Sequence, residues 1–343
     1  MSREPSGASF TGSAKAAEQP FAKLDSAPVS VIGGGAWGIA LATAAANAGS
    51  DVLLYSRRAP EVQLHERIKL TKTLTDVGRH AHLLVLTVPS EFVRPVARAL
   101  GDVLDGRHAI VHGVRGLVAQ DGNGDLATIS SVLRQETPVR RLGALGGPVL
   151  TEELAAGAPS VMVVGSRYPE VIKVVKGALA TPSLRLYSTD DLIGLEWASA
   201  LTGILAVAVG FARGVGLGAG ILSAFVTRGV HEAARIGAAA GAEERTFLGL
   251  GGFGDLLAAI AEESRPEIRL GEAVARGVAV EQAIADVGQR IEAIELAPRV
   301  AAFATRHRVM APIFTSVAHG IFARRPAAEL VAELMMGPIT SPA

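Results

Sequence analysis

No cysteine occurs in the 343 residues. That absence excludes disulfides, thiolate zinc sites, iron–sulfur clusters and thiol nucleophiles together, and it fits a chain expected in a reducing cytoplasm. Net charge is also absent, with 33 Lys and Arg against 33 Asp and Glu, so nothing draws the chain generally toward nucleic acid, anionic lipid or acidic partners. The first 27 residues mix Ser, Ala, Gly, Pro and charges without a continuous apolar stretch, which argues against a secretory signal. They are expected to form a flexible extension over 1–27, with a second flexible tail over 336–343. The most membrane-like run, Ser199 to Val226, carries Arg213 near its middle and six glycines. It predicts a buried central helix followed by a glycine-rich loop, and no membrane span.

Two further scarcities bear on chemistry. The last lysine is Lys176, and the only asparagines are Asn47 and Asn123. Any reaction in the second half that needs a lysine or an asparagine must therefore borrow it from elsewhere.

What is present is a large apolar content, 49% hydrophobic residues with a mean hydropathy of +0.34, enough to bury the cores of two domains. From Val29 to about Leu186, the short runs "VSVIG", "DVLLYS", "HLLVLTV", "AIVHGV", "SVMVVG" and "LRLYS" alternate with Ala-rich stretches of helical spacing. This alternation predicts an α/β Rossmann-type domain over 28–188, a parallel, doubly wound sheet with helices on both faces. From about Asp190 onward the strand signal vanishes, and helix-like apolar spacing punctuated by Gly and Pro predicts an all-helical domain over 189–335.

Gly33, Gly35 and Gly38 form G-x-G-x-x-G directly after the first predicted strand and at the start of a predicted helix. The first glycine permits the tight turn, the second lets the backbone approach a pyrophosphate, and the third lets helix and strand pack closely. A helix N-terminus there offers free N–H groups to the phosphates. The next strand ends in Ser56, Arg57 and Arg58 rather than the Asp or Glu that accepts from an NAD ribose. Two solvated surface arginines are the bland alternative; guanidinium facing a 2′-phosphate favours NADP, or use of both cofactors. His80 and His82 share a strand face without a carboxylate close in sequence, so no metal site is expected.

Further motifs follow in order: Trp37, "VLTVPS" at Val85, "VRGL" at Val114, "GGPVLTEELAAGAPS" at Gly146, "DLIGLEWASAL" at Asp191, "VTRGVHE" at Val226, "TFLGLGGFGDLL" at Thr246, "SRPEIRLG" at Ser264 and "MAPIFTSV" at Met310. Their order and spacing resemble the bacterial NAD(P)-dependent glycerol-3-phosphate dehydrogenase family, a 6-phosphogluconate-dehydrogenase-like architecture, over nearly the whole chain after residue 28. The resemblance implies a homodimer that catalyses reversible hydride transfer between a nicotinamide and C2 of dihydroxyacetone phosphate or sn-glycerol 3-phosphate.

It also implies site residues, with departures. In the family a lysine in G-x-E-x-x-x-A-L-K-N does the proton work; here Thr202 and Gly203 stand at K-N. Asp255 keeps the G-D-L aspartate, and Ser264 and Arg265 keep the first two places of S-R-N, with Pro266 replacing the asparagine. Arg115 replaces the K-G lysine, Val149 replaces the Ser or Thr after G-P, and Glu292 holds the place of a glutamate near the cofactor, followed by Ala293. The segment before T-R-G is read as shortened to a loop, "ILSAFVTRG". Cofactor contacts are thus expected from Gly33, Gly35, Trp37, Gly38, Arg57, Arg58, Arg115, Arg265 and Glu292, and substrate contacts from Arg115, Gly147, Asp255, Ser264 and Arg265.

A threonine hydroxyl cannot hold a proton ready near neutral pH, whereas histidine can. His112, at a predicted strand end three residues before Arg115, is the candidate replacement donor, and His231 a weaker one. Three functions stay open: a divergent glycerol-3-phosphate dehydrogenase with reduced or altered activity; a dehydrogenase for a different small hydroxy or keto substrate; and a non-catalytic dinucleotide-binding sensor.

Overall fold

The computed structural model describes residues 27–120, 125–262, 264–323, 325–326 and 329–330. The expected tail over 336–343 and all of the expected extension except Ala27 lie outside the described residues. Ten strands occur among those described: β1 (Val29–Ile32), β2 (Val52–Tyr55), β3 (Ile68–Thr71), β4 (Leu83–Leu86), β5 (Ala109–His112), β6 (Val118–Ala119), β7 (Leu126–Ala127), β8 (Arg141–Gly146), β9 (Ser160–Gly165) and β10 (Leu184–Thr189). In the first half they are interleaved with α1 (Ala36–Asn47), α2 (Leu74–His80), α3 (Val93–Gly101), α4 (Ile129–Glu136), α5 (Thr151–Ala155) and α6 (Pro169–Leu179). Helices α7 (Leu192–Gly214), α8 (Ala219–Ala239), α9 (Glu244–Leu248), α10 (Asp255–Ala261), α11 (Pro266–Ala275), α12 (Val280–Val287), α13 (Glu292–Arg306) and α14 (Pro312–Ser316) make up the second half.

Eight strands form one sheet in the order β10-β9-β8-β5-β4-β1-β2-β3. Strands β1, β4 and β5 are buried along their whole length, which is why they read as continuous apolar runs: helices cover both faces. Val29, Val31, Leu54, Val85 and Val111 face the alanines of α1 and the apolar side of α6. Ile32, Leu84, Leu86 and Ile110 face α3 and α4. The pleat thus assigns alternate residues to two cores, each fully buried Val, Leu or Ile contributing about 1.5–3 kcal/mol.

Three features differ from the sequence expectation. The sheet is not wholly parallel, because β9 runs antiparallel to β8, with Leu145 opposite Val164. Strand β8, "RLGALG", has two glycines and no β-branched residue, so its local signal is weak; its six residues are recruited by burial between β5 and β9. The "ILSAFVTRG" segment is no loop: it lies within the uninterrupted helix α8, and the turn occupies only residues 215–218.

The helical domain is organised by α7, the one described helix long and apolar enough to cross a membrane, and one buried almost throughout in this fold. Its N-cap Asp191 accepts from Gly194 N at 2.9 Å, from Glu243 N at 3.0 Å and from Thr246 Oγ1 at 2.6 Å, so one carboxylate starts the helix and anchors the approach to α9. Helix α11 crosses α7 at backbone contact, since a Cβ on Gly271 would overlap the Val207 carbonyl oxygen.

Glu232 on α8 is 2% exposed and accepts from Ile313 N at 2.8 Å, tying α8 to the start of α14. Burial pushes its carboxyl up to about 7, against the opposing pull of the backbone N–H groups of Ile313 and Phe314 and of Arg235 and Arg228. A folded-state value raised above the unfolded value of about 4.3 means that the native state holds the proton more tightly. Its stabilising contribution is complete below about pH 4.3 and is lost as the pH rises through about 7. Glu232→Gln is therefore expected to remove part of the stability decline between about pH 4.5 and 7, as read by urea unfolding at several pH values; an unchanged pH slope would contradict this titration.

Candidate active site

The chain enters the sheet at β1, in its middle, and then builds outward on one side through β2 and β3 and on the other from β4 onward. The point between β1 and β4 is a topological switch, and their carboxyl ends open onto a crevice. There the turn after β1 is locked. Gly33 has φ +127°, a conformation that L side chains rarely adopt, and Thr87 Oγ1 is shared between the carbonyls of Ile32 and Gly33 at 3.1 and 3.2 Å. A Cβ on Gly38 would overlap the Gly33 carbonyl oxygen, whereas one on Gly35 would meet no protein atom within 4 Å. Gly35, immediately before the N-terminus of α1, thus faces open space, and the turn fits a pyrophosphate approaching the first N–H groups of that helix.

A cleft of about 390 Å³ lies between the start of α1, the segment after β4 and the helical domain, and Trp37, Arg115, Ser264, Arg265 and Glu292, all expected from the sequence, line it, whereas Gly33, Gly35, Gly38, Arg57, Arg58, Gly147 and Asp255 do not. Trp37 Nε1 donates to Gly113 O at 3.0 Å, which fixes the indole at the mouth. Arg115 crosses between domains, with Nη1 paired to the buried carboxylate of Asp255 and Nη2 donating to Gly147 O at 3.4 Å. Asp255 opens α10 as expected, 1% exposed, and its carboxylate is held by Arg115. Arg265 Nε donates to Glu267 Oε2 at 2.9 Å. Burial works against the Arg265 charge, yet Glu267 and Asp255 more than offset it and hold the guanidinium above its usual range. Its terminal nitrogens have no hydrogen-bonded partner among the described residues, which leaves them available to an anion.

Ser264 donates from both its backbone N and its hydroxyl to Glu262 Oε1, at 3.0 and 2.6 Å. The hydroxyl bond, then the backbone bond, lowers the Glu262 carboxyl below its ordinary range. Glu292 accepts from Ser90 N at 3.1 Å and from Ser90 Oγ, and Arg290 bridges Glu91 at 2.6 Å and Glu295 at 3.4 Å. Together these contacts latch α13 to the loop after β4. Arg57 and Arg58 are exposed just beyond the end of β2, with the Arg57 guanidinium 5.4 Å from the centre of the Phe92 ring.

Three of the sequence candidates for the proton work lie elsewhere. Thr202 is 3% exposed within α7; its Oγ1 donates to Ala198 O at 2.9 Å, and it borders a cavity of about 10 Å³ among Leu205, Val230, Phe247 and Leu256, not the cleft. A helical threonine turns its hydroxyl back on the preceding turn when nothing polar faces it. His112 does sit at the carboxyl end of β5, but it is 1% exposed and its Nε2 donates to Glu196 Oε1 at 3.0 Å, while Val114 N approaches Nδ1 at 3.4 Å. Both ring nitrogens are engaged by these partners, away from the cleft. Glu196 also accepts from Ser130 N at 2.7 Å and Ser130 Oγ at 2.6 Å, so His112 belongs to an interdomain pin. His231 is half-buried on α8 and does not line the cleft either. Among the described residues no group of His and acidic side chains could hold a metal ion.

Sequence reading missed Glu267, Arg290 and the role of Glu196. Glu267 and Arg290 carry only the weak signal of charges flanking a motif or helix start, and Glu196 only that of an acid inside an otherwise apolar helix.

A glycine turn at the switch point, an interdomain cleft lined by arginines of both domains and, on Arg265, open guanidinium nitrogens define a two-domain dehydrogenase of the nicotinamide-dinucleotide type. Comparison with known proteins narrows the class. The model of the NAD-dependent glycerol-3-phosphate dehydrogenase N-terminus matches residues 28–63 and 56–172, and that of its C-terminus matches 191–332. The chain belongs to this family. A glycerol-3-phosphate dehydrogenase (NAD(P)+) of Fusobacterium nucleatum is 32% identical over 324 residues, covering 90% of this chain and 96% of the relative. One from Moorella thermoacetica is 32% identical over 328 residues, covering 91% and 96%. The crystal structure of the Coxiella burnetii glycerol-3-phosphate dehydrogenase superposes with a TM-score of 0.83 at 27% identity, covering 91% of this chain and 99% of that one. A ketopantoate reductase of Ralstonia eutropha, at 16% identity and a TM-score of 0.55, shares the fold.

Proposed function

We propose that this protein interconverts sn-glycerol 3-phosphate and dihydroxyacetone phosphate with NAD or NADP, at a rate reduced by the loss of the lysine that the resemblance implies. The observation that carries this reading is the meeting, in one cleft, of Trp37, from the first turn of the helix that follows the glycine turn, with Arg115 and Arg265 from opposite domains. When bound, the nicotinamide supplies the hydride acceptor or donor. Arg265 holds the substrate phosphate by charge-assisted hydrogen bonds from its open terminal nitrogens, and Arg115, lining the same cleft, adds its positive charge. Arg57 and Arg58 suit a 2′-phosphate, favouring NADP or use of both cofactors. The same reading takes the working form to be a cytoplasmic homodimer.

The test is purified protein with NADH or NADPH and dihydroxyacetone phosphate, followed by nicotinamide absorbance, with a Gly38→Val preparation controlling for host enzyme. Slow oxidation is expected, about 10²- to 10⁴-fold below an enzyme with a well-placed acid. Thr202→Ala is expected to leave that rate unchanged, because its hydroxyl is spent on the Ala198 carbonyl. A second reading, a non-catalytic dinucleotide-binding module, is favoured by the absence of lysine and histidine from the cleft lining. Tight cofactor binding without oxidation would select it.

A further inference from the structure

We infer that Glu267 is the group that takes the substrate hydroxyl proton in alcohol oxidation and returns it in ketone reduction. The inference rests on the proposed alcohol–ketone interconversion and adds the residue that moves the proton. The cleft is lined by three arginines, Arg115, Arg265 and Arg290, none of which gives up a proton at usable pH. Its carboxylates are Glu152, Glu153, Glu262, Glu267 and Glu292. Glu292 is occupied on both oxygens by Ser90, and Glu262 is held by the backbone and hydroxyl of Ser264. Glu152 and Glu153 lie in the first turn of α5, and neither is paired to a cleft arginine among the described residues.

Glu267 differs from all of these. It stands in the first turn of α11, its side chain 16% exposed, and one oxygen, Oε2, is fixed by Arg265 Nε at 2.9 Å. The other, Oε1, has no hydrogen-bond partner among the described residues and points at Gly203 of α7, 3.8 Å from where a Cβ on that residue would lie. Glycine at 203 leaves room beside a carboxylate oxygen oriented by its twin. A guanidinium whose Nε carries Glu267 still offers its terminal nitrogens to a phosphate, so the same Arg265 sets the distance between substrate phosphate and proton acceptor. In oxidation the O–H bond breaks, its proton passes to Oε1, and the freed electron pair forms the C=O bond as hydride leaves C2 with its own pair for the nicotinamide. Reduction reverses each transfer, so atoms and electrons balance.

Glu267→Gln and Glu267→Asp test this, with two readouts on each variant. Turnover of glycerol 3-phosphate is expected to fall about 10²-fold or more in kcat in the Gln variant and to be partly retained in the Asp variant. Calorimetric binding of glycerol 3-phosphate to the protein without cofactor is expected to be kept or tightened several-fold in the Gln variant, because a carboxylate beside Arg265 repels the incoming phosphate. Undiminished kcat in Glu267→Gln would overturn the assignment while leaving the proposed function standing. Loss of glycerol 3-phosphate affinity together with kcat would also overturn it, marking Glu267 as a support for Arg265. Absence of turnover in the wild type would remove the proposed function, and this role with it.

Discussion

Glu196→Ala is expected to lower the unfolding free energy by about 3–5 kcal/mol, because three buried donors lose their acceptor together. The carboxylate of Glu196 receives His112 Nε2 at 3.0 Å, Ser130 N at 2.7 Å and Ser130 Oγ at 2.6 Å. These partners come from β5 and the first turn of α4, whereas Glu196 belongs to α7. Ser130 N is one of the free N–H groups at the start of α4, so the negative charge also faces the positive end of that helix. With alanine the methyl group reaches none of these donors, and the site is too enclosed for bulk water to replace the carboxylate. Chemical denaturation reads the loss directly. A destabilisation below about 1 kcal/mol would show that the donors find other acceptors or water. Since the pin joins the sheet to the central helix of the second domain, looser domain contact is expected to weaken substrate binding across the cleft as well.

The second large effect separates two glycines three residues apart. Gly38→Ala places a methyl group against the Gly33 carbonyl oxygen and 2.6 Å from Thr87 Oγ1, so α1 must move away from the turn. Both stability, by about 1–3 kcal/mol, and dinucleotide binding are expected to fall. Gly35→Ala meets no protein atom within 4 Å and is expected to keep the melting temperature while still losing dinucleotide affinity, because its methyl group enters the space kept for the pyrophosphate. Thermal unfolding and fluorescence titration with NADH and NADPH, run on both variants, distinguish the two cases. Equal dinucleotide affinity in Gly35→Ala and the wild type would mean that the ligand does not approach at that turn.

The glycine turn was readable because it is local: a strand, three spaced glycines and a helix start within fifteen residues carry both the conformation and its purpose. The apolar runs of β1, β4 and β5 were readable for the same reason, since full burial leaves no alternation to hide them. Strand β8 was not, because "RLGALG" has little strand preference of its own and is held by neighbours that sequence order does not reveal. Helix α8 was misread at its start, where glycine before Ile221 suggested a loop although the helix continues through it.

For the site, sequence by itself determined the inventory. It established that no lysine follows Lys176, that the asparagines number two, and that Arg115, Asp255, Ser264 and Arg265 stand in the motifs of the resemblance. Those facts need no folding, because absence and order are properties of the string. Only the tertiary structure decided which side chains share a space. It turned His112 toward Glu196 and away from the cleft, returned the Thr202 hydroxyl to its own helix, joined Arg115 to Asp255 across 140 residues, and left one oxygen of Glu267 facing Gly203. The reason is physical: a side chain's chemistry is set by the few groups within hydrogen-bond reach, and packing brings those groups together from parts of the chain that are distant in sequence.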